Sequence, residues 1–179
     1  MNLSKTYNQL TNVSLNDALK AFLLSFVIGA ASILAFKLPF MSVPWVLQNQ
    51  IVLVIGYLFG ARIGFLSTLF FVIEGALGAP VFANGTSGMA VLMGPTGGYL
   101  LGYPVASFMA GFLKDHLPRS PLGAFLSFLV SHFVIYGFGV TALATMIGLK
   151  NAILLGFVPF IALDVIKSFV ASYLVFSKK

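Results

Sequence analysis

The chain has 179 residues, of which 59% are hydrophobic and only 8% charged, with a formal net charge of +6 and no cysteine. Soluble domains carry about 25% charged residues, so a water-soluble fold is excluded, as are disulfides, thiol catalysis, iron–sulfur clusters and cysteine-based zinc sites. The basic residues fall singly between hydrophobic runs and form no stripe, which argues against a nucleic-acid partner.

A hydrocarbon core about 30 Å thick takes helices of roughly 20 residues, so the chain has room for about six spans in one membrane domain covering 1–179. The start, Met1 to Asp17, is polar and lacks the short apolar core and small-residue cleavage pattern of a removable signal, so the first hydrophobic stretch is expected to stay as a helix. That stretch runs over 18–36, where Asp17 charges its start and Lys37-Leu38-Pro39 ends it. A loop through Pro44 and Trp45 leads to a second run over 48–60. Gly60-Ala61-Arg62-Ile63-Gly64 reads as a tight turn, and the third run covers 63–77.

From Gly78 to Gly98 glycine and proline alternate with small polar residues, which predicts a long non-helical loop of the kind used as a lid or binding surface. The fourth run covers 99–113 and ends in Lys114-Asp115-His116-Leu117-Pro118-Arg119. The fifth covers 122–147 and the sixth 152–176. The predicted fold is thus all-α: an integral membrane bundle of six transmembrane helices with a long outer loop between helices 3 and 4.

Basic residues set the orientation. With a cytoplasmic amino terminus, the inner side holds Lys5, Lys20, Arg62, Lys114, Arg119, Lys178 and Lys179, and the outer side Lys37 and Lys150. The expectation is a plasma-membrane protein with both termini cytoplasmic.

Lys167 lies inside the sixth run, three residues after Asp164, so the two share a helix face. An ionisable group at the centre of a bilayer costs at least about 2.5–3.5 kcal/mol, and such groups usually mark a site. The alternative is an ion pair that only fixes helix packing. Pro159, about a turn earlier, frees a backbone carbonyl and bends the helix toward a cavity. Glu74, near the outer end of the third run, either bonds loop amides and lines the pocket mouth or is a solvated helix end. Asn84 offers donor and acceptor on the glycine-rich loop, or serves as a turn residue beside Gly85. Trp45 and Tyr99 flank the outer loops as interface anchors or as stacking walls for a flat ligand.

His132, without cysteines or clustered carboxylates, reads as a helix-packing residue and not a metal ligand, and no metal or cofactor is expected. Ala21, Ser25 and Gly29 form a small-residue stripe on the first helix, suited to a membrane partner or to packing within the chain. No phosphate-binding loop with its lysine is present, and Ser, His and acid residues sit on different runs with no supporting motif, so no enzymatic activity is expected.

Six short hydrophobic helices, Gly78-Ala79-Pro80-Val81-Phe82-Ala83, Gly94-Pro95-Thr96-Gly97-Gly98-Tyr99-Leu100 with Gly102, and Asp164 with Lys167 closely resemble the BioY family over nearly the whole chain. That family comprises the biotin-binding S components of energy-coupling factor (ECF) transporters. Near the second loop the family often has Thr before a Gln, whereas here Val46-Leu47-Gln48 follows Trp45.

The resemblance implies high-affinity biotin capture, a transmembrane coupling subunit touching the small-residue face of the first helix, and two cytoplasmic ATPase subunits. The residues suit biotin: Asp164 accepts from the ureido N–H groups, Lys167 and Asn84 donate to its carbonyl, and Phe82, Tyr99 and Trp45 wall its rings and chain; in the opposite pose Lys167 meets the biotin carboxylate instead. Gln48 and Glu74 complete the expected ligand-side set. Two other readings stand beside it: an S component for thiamine or riboflavin, and a membrane enzyme or scaffold with no vitamin ligand.

Overall fold

The computed structural model describes residues 14–32, 35–36 and 45–177, together with the backbone but not the side chains of Phe36 and Trp45. Lys5, Lys37, Pro39, Pro44, Lys178 and Lys179 lie outside the described residues, as does the side chain of Trp45. In chain order the elements are α1 (Leu15–Ser32), β1 (Ala35–Phe36), β2 (Trp45–Val46), α2 (Gln48–Phe59), α3 (Ala61–Ala76), a 3₁₀ turn (Ala83–Gly85), α4 (Met89–Leu92), α5 (Gly97–His116), α6 (Pro121–Ile147), α7 (Leu149–Gly156) and α8 (Val158–Phe176).

The expected all-α membrane bundle is what forms, and local chemistry sets the boundaries. Gly60 alone separates α2 from α3, at φ 90°, a conformation that disfavours any side chain. Ser120 caps α6 by accepting from the Gly123 N–H at 3.1 Å, with Pro121 in its first turn. The first helix ends at Ser32, earlier than the expected residue 36, because Ala35–Phe36 instead pairs antiparallel with Trp45–Val46. Two residues per strand make a clasp, too small to alter the fold class.

The fourth helix begins at Gly97, two residues before the expected start, and its glycines are there for close approach. A Cβ on Gly98 would fall 2.6 Å from the Phe138 carbonyl oxygen of α6. The sixth run, expected to be continuous, is broken at Phe157 into α7 and α8, with Pro159 in the first turn of α8. The expected proline effect is therefore real but appears as a break two residues before the proline.

α5 is the central element and packs against α2, α3 and α6; α1 lies against α3. Buried hydroxyls bond backbone carbonyls, as Ser107 of α5 does with Val52 of α2 at 2.9 Å. The outside is the reverse of a soluble protein: Leu19, Phe22, Leu23 and Phe26 of α1 and Ile166, Phe169 and Val170 of α8 are all exposed. By length and apolar composition, Leu15–Ser32, Pro121–Ile147 and Leu149–Phe176 suffice to cross a membrane. The apolar α2 has 12 residues and reaches only about 18 Å.

Candidate functional site

At the end of the bundle where the 77–96 connection meets the start of α5, a cavity of about 400 Å³ opens. Val46, Gln48, Phe82, Asn84, Tyr99 and Tyr103 are among the residues that line it. Four of them, Gln48, Phe82, Asn84 and Tyr99, belong to the ligand-side set expected from the sequence.

Each is held there by a local cause. Phe82 is fully buried, edge-on to Phe71 at 5.5 Å between ring centroids, and packed so close to Gly75 that any Cβ there would collide with its ring. Asn84 sits at φ 57°, ψ 30°, a left-handed conformation that asparagine tolerates better than most residues. Asn84 therefore both occupies the turn beside Gly85 and lines the cavity. Tyr99 is anchored through its hydroxyl, which donates to the Gly156 carbonyl at 2.9 Å. That carbonyl is free because the break at Phe157 redirects the Phe160 N–H to Phe157. Gln48 is 1% exposed, and its Nε2 has no hydrogen-bond partner among the described residues. A buried amide that lines a cavity with an unmatched donor is ready for an acceptor on a ligand.

Asp164 and Lys167 do not line the cavity; they form the polar cluster next to it. Their Oδ1 and Nζ lie 2.5 Å apart, and Asp164 is 3% exposed. Lys167 also donates to the Val46 carbonyl at 3.0 Å and to Asn49 Oδ1 at 2.7 Å. Because Val46 and Gln48 line the cavity, the strand and first turn that carry them join the two halves of the site. Asp164 accepts further from Asn49 Nδ2, at 3.3 and 3.2 Å, and from the Tyr136 hydroxyl. His132 brings Nε2 to 3.6 Å from Asp164 Oδ2, while its Nδ1 meets the Phe128 carbonyl at 3.0 Å. Its role is in helix packing, as expected, but packing beside the ionic pair.

Two expectations need correction. Glu74 lies away from the cavity, and its Oε1 accepts from Ser25 of α1 at 2.8 Å, so it ties α3 to α1 instead of bonding loop amides. The stripe Ala21, Ser25 and Gly29 is buried inside the chain, with Gly29 facing Val81, so these residues serve internal packing and offer no face to a partner. The small stripe faces inward, while Leu23 and Phe26 are exposed and Phe22, also part-exposed, meets Phe70 of α3 edge-on at 6.0 Å between ring centroids. Asn49, Tyr103 and Tyr136 were missed. Asn49 had a visible signal, because Gln48-Asn49-Gln50 is a polar triplet opening an apolar run. Tyr136 had only its position one turn from His132.

A family model described as the BioY family matches residues 5–178. The chain belongs to the BioY family. Among the curated relatives, a probable biotin transporter BioY of Pyrococcus horikoshii is 40% identical over 126 residues, covering 70% of this chain and 74% of the relative. The biotin transporter BioY of Thermotoga maritima is 38% identical, covering 76% and 80%. That of Rhizobium etli is 34% identical, covering 90% and 92%. In three dimensions the BioY chain resembles the crystal structure of the S-component for biotin from an ECF-type ABC transporter. The TM-score is 0.79 at 25% identity, covering 92% of this chain and 93% of the other. The family is one of transporter components, not enzymes.

Proposed function

We propose that this BioY chain is the biotin-capturing S component of an ECF-type transporter, a multi-pass membrane protein with both termini in the cytoplasm. The observation that carries the reading is the Asp164–Lys167 pair set against a cavity of about 400 Å³, within the range of small-ligand pockets. A ureido group presents N–H donors beside a carbonyl acceptor. The ligand meets the pair at the Val46–Gln48 edge of the cavity, where Asp164 takes the first and Lys167 the second, with Asn84 and Gln48 supplying amide contacts and Phe82 and Tyr99 the apolar walls, to which the sequence adds Trp45 as an expected third. The neutralised pair favours biotin over a cationic ring such as that of thiamine, which calls for an unpaired carboxylate.

The orientation is supported by charge. The cavity sits at one end of the bundle; at the other, Lys114 of α5 reaches across to the Leu58 carbonyl at 3.2 Å, close in sequence to Arg62 at the start of α3, and Arg119 follows the end of α5. Cationic connections mark the cytoplasmic side, so the cavity opens outward. A transmembrane coupling subunit and two cytoplasmic ATPase subunits supply the energy, since this sequence contains no phosphate-binding loop. Contact with the coupling subunit then falls to the apolar outer face of α1, where Leu19, Phe22, Leu23 and Phe26 are exposed.

The test is a fluorescence titration of the purified protein in detergent, reading Trp45 and offering biotin, thiamine and riboflavin in turn. Saturable binding of biotin alone is the expected result. Saturation by thiamine or riboflavin in its place would reassign the ligand, and a folded protein that binds none would refute the S-component reading.

A further inference from the structure

One side chain touches both members of the ionic pair. Asn49, in the first turn of α2, accepts at Oδ1 from Lys167 Nζ at 2.7 Å and donates at Nδ2 to Asp164 Oδ1 and Oδ2 at 3.3 and 3.2 Å. Its orientation is fixed chemically, because an ammonium only donates and a carboxylate only accepts, so the amide fits one way round. It is also fixed mechanically, since the same Oδ1 accepts from the Gln50 backbone N–H at 2.8 Å. The Lys167 ammonium thus sits among Asp164, Asn49 and the Val46 carbonyl.

We propose that Asn49 is a positioning residue for the ligand site: a fixed amide bracket from α2 that holds the α8 pair Asp164–Lys167 ready for a ligand's donor and acceptor. This inference rests on the biotin-binding reading above. The bracket acts through the pair. Without its N–H, Asp164 loses a donor inside a nearly solvent-free site, and without its carbonyl, Lys167 loses an acceptor, so the pair, in contact at 2.5 Å, is no longer tied to the turn of α2 that borders the cavity.

Asn49→Asp separates this role from a structural one. The substituted carboxylate keeps an acceptor for Lys167 and for the Gln50 N–H but replaces the donor to Asp164 by a second negative charge that repels it at neutral pH. At neutral pH the variant is expected to bind biotin about 10- to 100-fold more weakly than the wild type. On acidification to about pH 5 it recovers most of that loss, because a protonated side chain donates to Asp164 as the amide does. The other titratable groups around the position are Asp164 and Lys167 on α8, His132 and Tyr136 on α6 and Tyr103 on α5, all retained, so the wild type titrated at both pH values corrects for them.

Asn49→Ala is expected to bind weakly at both pH values. Thermal melting without biotin reads folding separately for each variant. Asn49→Asp binding like the wild type at neutral pH would overturn the bracket. So would weak binding without acid recovery alongside a melting temperature lowered as much as in Asn49→Ala, which is the behaviour of a purely structural residue. Wild-type protein that fails to bind biotin would instead overturn the ligand reading itself, and the bracket's role with it.

Discussion

Asp164 is the residue on which the site turns, since Lys167, Asn49 and Tyr136 all meet its carboxylate. Asp164→Asn keeps the shape but replaces one acceptor oxygen by a donor and leaves the Lys167 charge unbalanced in a buried setting. Removing one partner of a buried pair costs about 3–5 kcal/mol. Biotin affinity is expected to fall by at least about a hundredfold, measured by calorimetric titration. Tyr99→Phe is a gentler change: it deletes only the hydroxyl that holds the α7–α8 break through Gly156, leaving the ring in the cavity wall. A loss of about 1–2 kcal/mol of stability, read as a lower melting temperature, should accompany a smaller change in biotin affinity.

Among the elements, the connection from 77 to 96 depends on close packing against α3. Gly75→Ala is expected to displace the Phe82 ring from its seat beside Phe71 and shift the cavity wall with it, weakening biotin binding more than it lowers the melting temperature. Equal losses in both would instead make Phe82 a core residue with no special part in the site. The elements themselves were largely legible: the apolar run over 122–147 matches α6 to within one residue, and the glycine-rich stretch marked a connection between runs, although it carries a 3₁₀ turn and α4 where a non-helical loop was expected. The errors have physical causes. Gly97 and Gly98 look like loop residues, yet they are helical because α5 needs a smooth face against α4 and α6. The small stripe of α1 has one pattern for two uses, and only the position of α3 and Val81 decides between them. Asp164 and Lys167 could be paired from i, i+3 spacing, whereas Asn49 joins them across more than a hundred residues of chain, which no local pattern encodes.

For the whole molecule, the apolar exterior, the cavity at one end and the basic connections at the other are the basis of the proposed orientation, in which the cavity faces outward. The sidedness is directly testable because the chain lacks cysteine, so single reporter cysteines can be introduced without a background. A cysteine near Ser177 is expected to react with a membrane-impermeant reagent only after cells are opened, and one in place of Thr86, in the exposed turn beside the cavity, in intact cells. The reverse pattern would invert the orientation and point the cavity inward.

The most direct measurement is a calorimetric titration of biotin into the wild-type protein and into Asp164→Asn, with thermal melting to establish that both are folded. Saturable binding by the wild type, lost or reduced at least about a hundredfold in the variant, is the expected result. Equal biotin affinity in the two folded proteins would remove the Asp164–Lys167 pair from the site, and no binding by the wild type would contradict biotin as the ligand.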